Sequence, residues 1–256
     1  MNIASVAPSG VDGSQLVTMI AHELSHPLVP IRNAAALLGN ALHDPAAVRR
    51  AAEIIEREAN NMNRLIGDLA DVSRLQTGTL EMCRKRAPLV ELMERAVDSA
   101  GPFVREHGHG FSMSVSPEPV YLQMDVMRLC QALHHLIANA CKYTNKHGHI
   151  HVRAQRNGAT ASIIVSDTGI GIPASALESI FGLFSRGGHG NRAQAGLGLG
   201  LYLARHFIEA HGGTLTAASE GVNRGSEFKI ELPCEISTAT VPASGDEEPV
   251  VDRSPA

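Results

Sequence analysis

The chain is 256 residues long, room for one large domain or two modest ones, and its formal net charge of −4 leaves no basic footprint for nucleic acid or for an anionic membrane surface. No apolar run approaches the roughly 18 residues that span a bilayer, and residues 1–13 lack a basic segment followed by an apolar one, so the expectation is a cytoplasmic protein without a signal peptide or membrane insertion. Aromatic residues make up 4% and Trp is absent, which implies an aliphatic core, and the four cysteines are scattered with no C-x-x-C, which reads as structural thiols in a reducing compartment.

In chain order, Asp12-Gly13-Ser14 predicts a helix start with Ser14 as N-cap. Apolar residues then recur with helical spacing from Leu16 through Ile20, Leu24, Leu28 and Ile31 to Leu42. His43-Asp44-Pro45 interrupts them, with Pro45 suited to the first turn of a second helix that carries Val48, Ala52, Ile55, Met62, Leu65, Leu69, Val72 and Leu75. Two such helices joined by a short connection make an antiparallel hairpin. One hairpin cannot cover both apolar stripes, so residues 14–77 are expected to pair with a second copy in a four-helix bundle, rather than to pack on the chain's own second domain. Pro27 and Pro30 each remove a backbone donor and predict a bend just beyond His22.

Thr79 to Lys85 reads as an opening strand and Leu89 to Val104 as a helix. Phe111 to Val115 and Val120 to Met124 read as short strands, and Asp125 starts a strongly apolar helix through Tyr143. His149 to Gln155 and Ala159 to Val165 form a hairpin turned at Asn157-Gly158. Asp167 to Gly196 is irregular and Gly-rich, Leu197 to His211 is helical up to Gly212-Gly213, and Thr214 to Ala218 and Ser226 to Leu232 are closing strands. The fold class is therefore α+β, with a helical hairpin followed by a sheet covered by helices. The division expected is 1–13 as a disordered N-terminus, 14–77 as the hairpin, 78–235 as the second domain, and 236–256, rich in Ser, Thr, Pro, Ala and acids, as a disordered tail.

The stretch M-I-A-H-E-L-S-H-P-L, from Met19 to Leu28, carries the first chemistry. His22 and His26 lie four residues apart and face one side of the helix, with Glu23 next to the first. Two readings fit. His22 is a phosphate-accepting imidazole with Glu23 as its base, or H-E-x-x-H is a zinc site with a catalytic glutamate. Three further clusters lie in the second domain: Asn139-Ala140-Cys141-Lys142-Tyr143, Asp167-Thr168-Gly169-Ile170-Gly171, and Gly196-Leu197-Gly198-Leu199-Gly200. Each alone is weak, because glycines also serve plain turns; together, in this order, they are strong.

On these residues the chain resembles the two-component sensor histidine kinases, over nearly everything from Gln15 to Pro233. M-I-A-H-E-L-S-H-P-L resembles the H box, L-H-H-L-I-A-N-A-C-K-Y-T the N box, and D-T-G-I-G-I-P, I-F-G-L-F-S-R and G-L-G-L-G-L the G1, F and G2 boxes. The resemblance implies a histidine kinase that autophosphorylates on His22 with ATP and Mg²⁺ and passes the phosphoryl group to an aspartate on the receiver domain of a response regulator. Asp167, an acceptor-only carboxylate, would take the adenine amine. Gly169 and Gly171 would let the backbone approach the nucleotide, and Tyr143 would stack on the base. Asn139 would offer Mg²⁺ a hard oxygen, and Lys142 and Arg186 would neutralise phosphate charge. Gly196, Leu197, Gly198 and Gly200 would open a helix whose N-terminus favours an anion, and residues 172–195 would form a lid.

Two positions depart from the family pattern. His26 stands where the family often has Thr or Asn, a residue linked to dephosphorylating the partner, and His135 stands at the first Asn of the N box. The zinc-protease reading leaves the Asn139, Asp167 and Gly196 clusters unexplained and sets Pro27 directly after its second ligand. A non-catalytic phosphotransfer or scaffold protein with a degenerate nucleotide domain would also fit the hairpin, while the His22 hairpin argues against a gyrase-type or chaperone ATPase. Thirteen residues before the first helix are too few for an input domain and no receiver follows, so a separate sensor partner is expected.

Overall fold

The computed structural model describes residues 13–40, 44–185 and 196–235. Helix α1 (Gly13–Asn40) and helix α2 (Pro45–Gln76) form the expected antiparallel hairpin. Asp44 caps α2, accepting at Oδ1 from the Ala46 N–H (2.9 Å) and the Ala47 N–H (3.2 Å), with Pro45 in the first turn where its missing donor costs nothing. Ser14 is already inside α1 and is not its cap. The helix also runs on through Pro27 and Pro30; each proline costs one backbone bond, and the flanking turns still carry the helix across. The two ends expected to be disordered fall outside the described residues, apart from Gly13, which opens α1, and no described helix is long and apolar enough to cross a membrane.

The second domain consists of β1 (Lys85–Pro88), α3 (Leu89–His107), β2 (Gly110–Val115), β3 (Tyr121–Met124), α4 (Val126–Tyr143), β4 (His149–Asn157), β5 (Thr160–Asp167), α5 (Gly200–Ala210), β6 (Thr214–Ala218) and β7 (Ser226–Pro233). Five strands form one sheet in the order β2-β4-β5-β7-β6, antiparallel except for the parallel pair β2 and β4. The opening strand lies later than expected, because its partner decides it: Lys85 pairs with Met124 and Pro88 with Tyr121 in a separate two-stranded ribbon, which residues 79–84 do not join. Helix α3 passes through Gly101-Pro102 and stops only at Gly108, whose left-handed φ of 67° suits a C-cap. The β4–β5 turn at Gly158 (φ 64°) is as expected.

The core is aliphatic, as the composition implies: Leu92, Met93, Leu133, Leu136, Ile137, Ile150, Ile163 and Leu203 are among its buried members. Cys141 is buried and its thiol is pushed up to about 12 by desolvation, which makes it inert. Part of the hairpin's stripe packs on this domain after all. Val72 is in the shared core, with Met19, Ile20, Leu65, Leu69 and Leu75 against it. Farther along, Leu28, Val29 and Leu37 are exposed, as are Val17 and Ile66.

Buried His134 on α4 has its pKa lowered to about 4, first by desolvation and then by the charges of Arg64 and His135; its Nδ1 lies 2.9 Å from the Ser99 hydroxyl. A folded pKa below the unfolded value means that the unfolded chain binds more protons between about pH 6.5 and pH 4. Stability therefore rises with pH across that window and is lost on acidification, by up to about 3 kcal/mol. Chemical denaturation of wild type and His134→Gln at pH 7 and pH 4.5 checks this: the variant is expected to lose most of that slope.

Candidate functional site

Helix α4 presents the first part of the site. Asp125 fixes its start, accepting from the Arg128 N–H at Oδ1 (3.2 Å) and from the Cys83 N–H at Oδ2 (2.9 Å), while its own N–H donates to Nε2 of buried His211 (2.8 Å). His135, Asn139 and Lys142 then follow at helical spacing on one face. That face meets the loop 196–200: Lys142 Nζ is 3.4 Å from where a Cβ on Gly196 would stand, and the His135 ring is 3.0 Å from the same point on Gly200. Asn139 and Tyr143 are half-buried; desolvation raises the Tyr143 pKa, and Lys142 Nζ sits 5.0 Å from its ring centroid.

The second part is the end of β5. Asp167 Oδ1 accepts from the Gly169 N–H (2.7 Å) and Oδ2 from the Ser226 hydroxyl. Burial pushes the carboxyl above its usual range, and these hydrogen bonds offset part of that shift. The Ile170 N–H donates to the Tyr143 carbonyl (3.0 Å), which ties this loop to the C-terminal end of α4. Asn139, Tyr143, Asp167 and the glycine loop therefore gather at one end of the sheet.

The glycines serve the loops' own packing first. Gly171 (φ 69°) lies against the Gly221 carbonyl and Gly198 (φ 69°) lies 2.6 Å, measured from a would-be Cβ, from the Ser185 carbonyl. Any side chain there would meet backbone as well as a left-handed conformation. Helix α5 begins at Gly200, three residues later than expected, because Gly198 is left-handed and cannot join it. Its N-cap Leu199 supplies no side-chain hydrogen bond, so the first-turn amides have no capping oxygen there, as suits an incoming anion. Of the expected lid, residues 172–185 hold two 3₁₀ turns, Ala174–Ala176 and Ser179–Phe181; the second carries Ile180 and Phe181, which are buried with Phe184. Arg186 and the rest of the lid lie outside the described residues.

His22 and His26 are exposed on α1, and Glu23 beside them is buried. Sequence reasoning missed a further contact, between α2 and α4. Arg128 reaches Asp71 Oδ2 (2.5 Å), and Gln131 Nε2 donates to Asp68 Oδ1 and Asp71 Oδ2 (both 3.1 Å). His135 Nε2 lies 3.3 Å from Asp68 Oδ1, within ion-pair distance but out of line for a hydrogen bond. Both aspartates are buried. Two acids three residues apart beside Leu65, Leu69 and Val72 were the available signal, but the donors lie about 60 positions away in the chain.

Residues 13–78 match the family described as His Kinase A (phospho-acceptor) domain, and residues 124–236 the one described as Histidine kinase-, DNA gyrase B-, and HSP90-like ATPase. Among curated proteins the chain is 32% identical over 222 residues to the alginate biosynthesis sensor protein KinB of Pseudomonas aeruginosa and 34% identical over 224 residues to the probable sensor histidine kinase TcrY of Mycobacterium tuberculosis. Each alignment takes in 86% of this chain but only 37% and 46% of those relatives, so the chain spans less than half their length. Full-length ShkA, solved in complex with AMPPNP, aligns over 86% of this chain and 46% of its own, with 26% identity and a TM-score of 0.58. ThkA, solved in complex with the response regulator protein TrrA, shares the fold (TM-score 0.57) at 22% identity, over 86% of this chain and 61% of its own.

Proposed function

The chain belongs to the two-component sensor histidine kinases, and from that we propose that it phosphorylates itself on His22 at the expense of ATP and hands the phosphoryl group to an aspartate of a response regulator. The observation that carries this is the gathering of Asn139, Lys142, Tyr143, Asp167 and the 196–200 loop at one sheet end, with an exposed imidazole on the hairpin. In this reading Asp167 accepts from the adenine amine, Tyr143 covers the base, and Lys142 and the first amides of α5 meet the phosphates. Asn139 fits Mg²⁺: its hard amide oxygen would suit an ion that keeps several waters and takes its remaining ligands from phosphate oxygens.

A lone pair on an imidazole nitrogen of His22 forms the N–P bond as the bond from the γ-phosphorus to its bridging oxygen breaks and ADP leaves. The proton on the other ring nitrogen passes to or is held by Glu23, which offers an oxygen within 4.8 Å of a His22 nitrogen. The domain division is taken at residue 77, and the exposed apolar residues of the hairpin, Val17, Leu28, Val29 and Leu37, support a homodimer through 14–77. The signal then reaches the chain through a sensor partner, and dependence on ATP supports a place for these two domains in the cytoplasm.

Incubation with γ-labelled ATP and Mg²⁺ tests the reading. Acid-labile, base-stable label is expected on wild type, falling by about 100-fold in Asn139→Ala, with transfer to an added receiver domain. Label that is acid-stable, or undiminished in Asn139→Ala, overturns it.

A further inference from the structure

We propose that His22, Glu23 and His26 form a transition-metal site whose filling blocks phosphorylation of His22; the inhibitory half rests on the reading of His22 as phosphoacceptor. Each of the three offers one ligand atom, and these atoms all lie within 4.8 Å of one another. The two imidazole rings meet edge to face, with centroids 4.3 Å apart. The sequence-level objection, that Pro27 spoils the helix holding both ligands, does not apply. Helix α1 continues to Asn40, and the Ser25 hydroxyl donates to the Ala21 carbonyl (2.7 Å) within the same turn.

Ligand atoms around a tetrahedral Zn²⁺, at about 2.0–2.1 Å from the ion, stand roughly 3.3 Å apart. The three atoms must therefore close by at most about 1.5 Å. Both histidines are exposed and can turn about their side-chain torsions, whereas Glu23 is buried and gives the cluster a fixed member. Two imidazoles and one carboxylate select Zn²⁺, Cu²⁺ or Ni²⁺ and discriminate against Mg²⁺, which takes oxygen ligands. The Mg²⁺ that accompanies ATP consequently does not fill the site. Three protein ligands leave one tetrahedral position to water. A bound metal takes the lone pair of the nitrogen it holds and occupies the approach to His22, so metal and phosphoryl group exclude one another. His26 is the residue that turns an ordinary phosphoacceptor turn into a chelate, and its effect on labelling is read against each variant's own Zn²⁺-free level.

The test has a binding arm and a labelling arm. In calorimetric titration of the full chain with Zn²⁺, in the presence of excess Mg²⁺, wild type is expected to show one site per chain that His26→Asn weakens at least 10-fold. In the labelling arm, Zn²⁺ at the concentration that fills the wild-type site removes the label from His22, a chelator restores it, and His26→Asn needs at least 10-fold more Zn²⁺ for the same loss. Circular dichroism verifies the fold of the variant, and His26→Gln serves as a second substitution. Equal Zn²⁺ affinity, or equal inhibition, in wild type and both variants overturns the proposal. Binding that depends on His26 without label in any sample upholds the metal site and refutes the phosphoacceptor reading instead.

Discussion

His22→Gln is expected to abolish acid-labile labelling entirely while leaving nucleotide binding at the wild-type level. Glutamine keeps the length and polarity of the side chain and is tolerated in a helix, but it has no ring nitrogen whose lone pair can attack phosphorus. His22 is exposed, so the substitution costs stability within about 0.5 kcal/mol, and loss of label cannot be put down to unfolding. In the proposed site, nucleotide binding, followed with a fluorescent ATP analogue, rests on α4, the end of β5 and the 196–200 loop, none of which contains position 22. Label persisting in the variant would move the phosphoacceptor elsewhere. Mixing His22→Gln with Asn139→Ala also decides the route: label on the Asn139→Ala chain means transfer between protomers, and none means transfer within one.

Asp167→Ala is expected to weaken ATP about 100-fold, close to 3 kcal/mol, the scale of one charged hydrogen bond lost in a partly buried site. The carboxylate also organises its surroundings, since the Gly169 N–H and the Ser226 hydroxyl both donate to it, so removing it leaves two donors unpaired in addition to the adenine amine it is proposed to bind. A pH series gives an independent reading. Burial holds the folded pKa of Asp167 above its unfolded value, so the native state keeps this proton more tightly. The contribution of this group to stability is present at low pH and is lost as pH rises through the folded pKa. The accepting carboxylate, in contrast, disappears as pH falls through the same value. ATP affinity should therefore drop on acidification in wild type and stay flat in Asp167→Ala. His134 acts on stability in the opposite sense over a window from about pH 6.5 to pH 4, so thermal melts run alongside separate lost binding from lost fold. An affinity that is unchanged in Asp167→Ala would remove the carboxylate from the nucleotide site.

Features set by neighbouring residues were legible from the chain alone. Asp44-Pro45 and Asp125 mark helix starts through bonds that reach two or three residues along, and both stand where expected. The β4–β5 hairpin turns at Gly158 for a similarly local reason. What distant partners decide was not legible. Strand β1 exists because β3, nearly forty residues on, pairs with it, and the first turn of α5 waits until Gly200 because Gly198 is wedged against Ser185. The clusters of the candidate site could be assembled because each carries its signature within five residues. The Asp68–Asp71 contact could not, because its donors Arg128 and Gln131 sit on another helix.

That contact has a mechanical consequence. Two carboxylates kept from water need donors at fixed positions, and sliding α4 along α2 by one turn would strand both against apolar neighbours. Asp68 and Asp71 thus act as a key between the ATPase module and the hairpin: the register that pairs them with Arg128 and Gln131 is favoured over neighbouring ones.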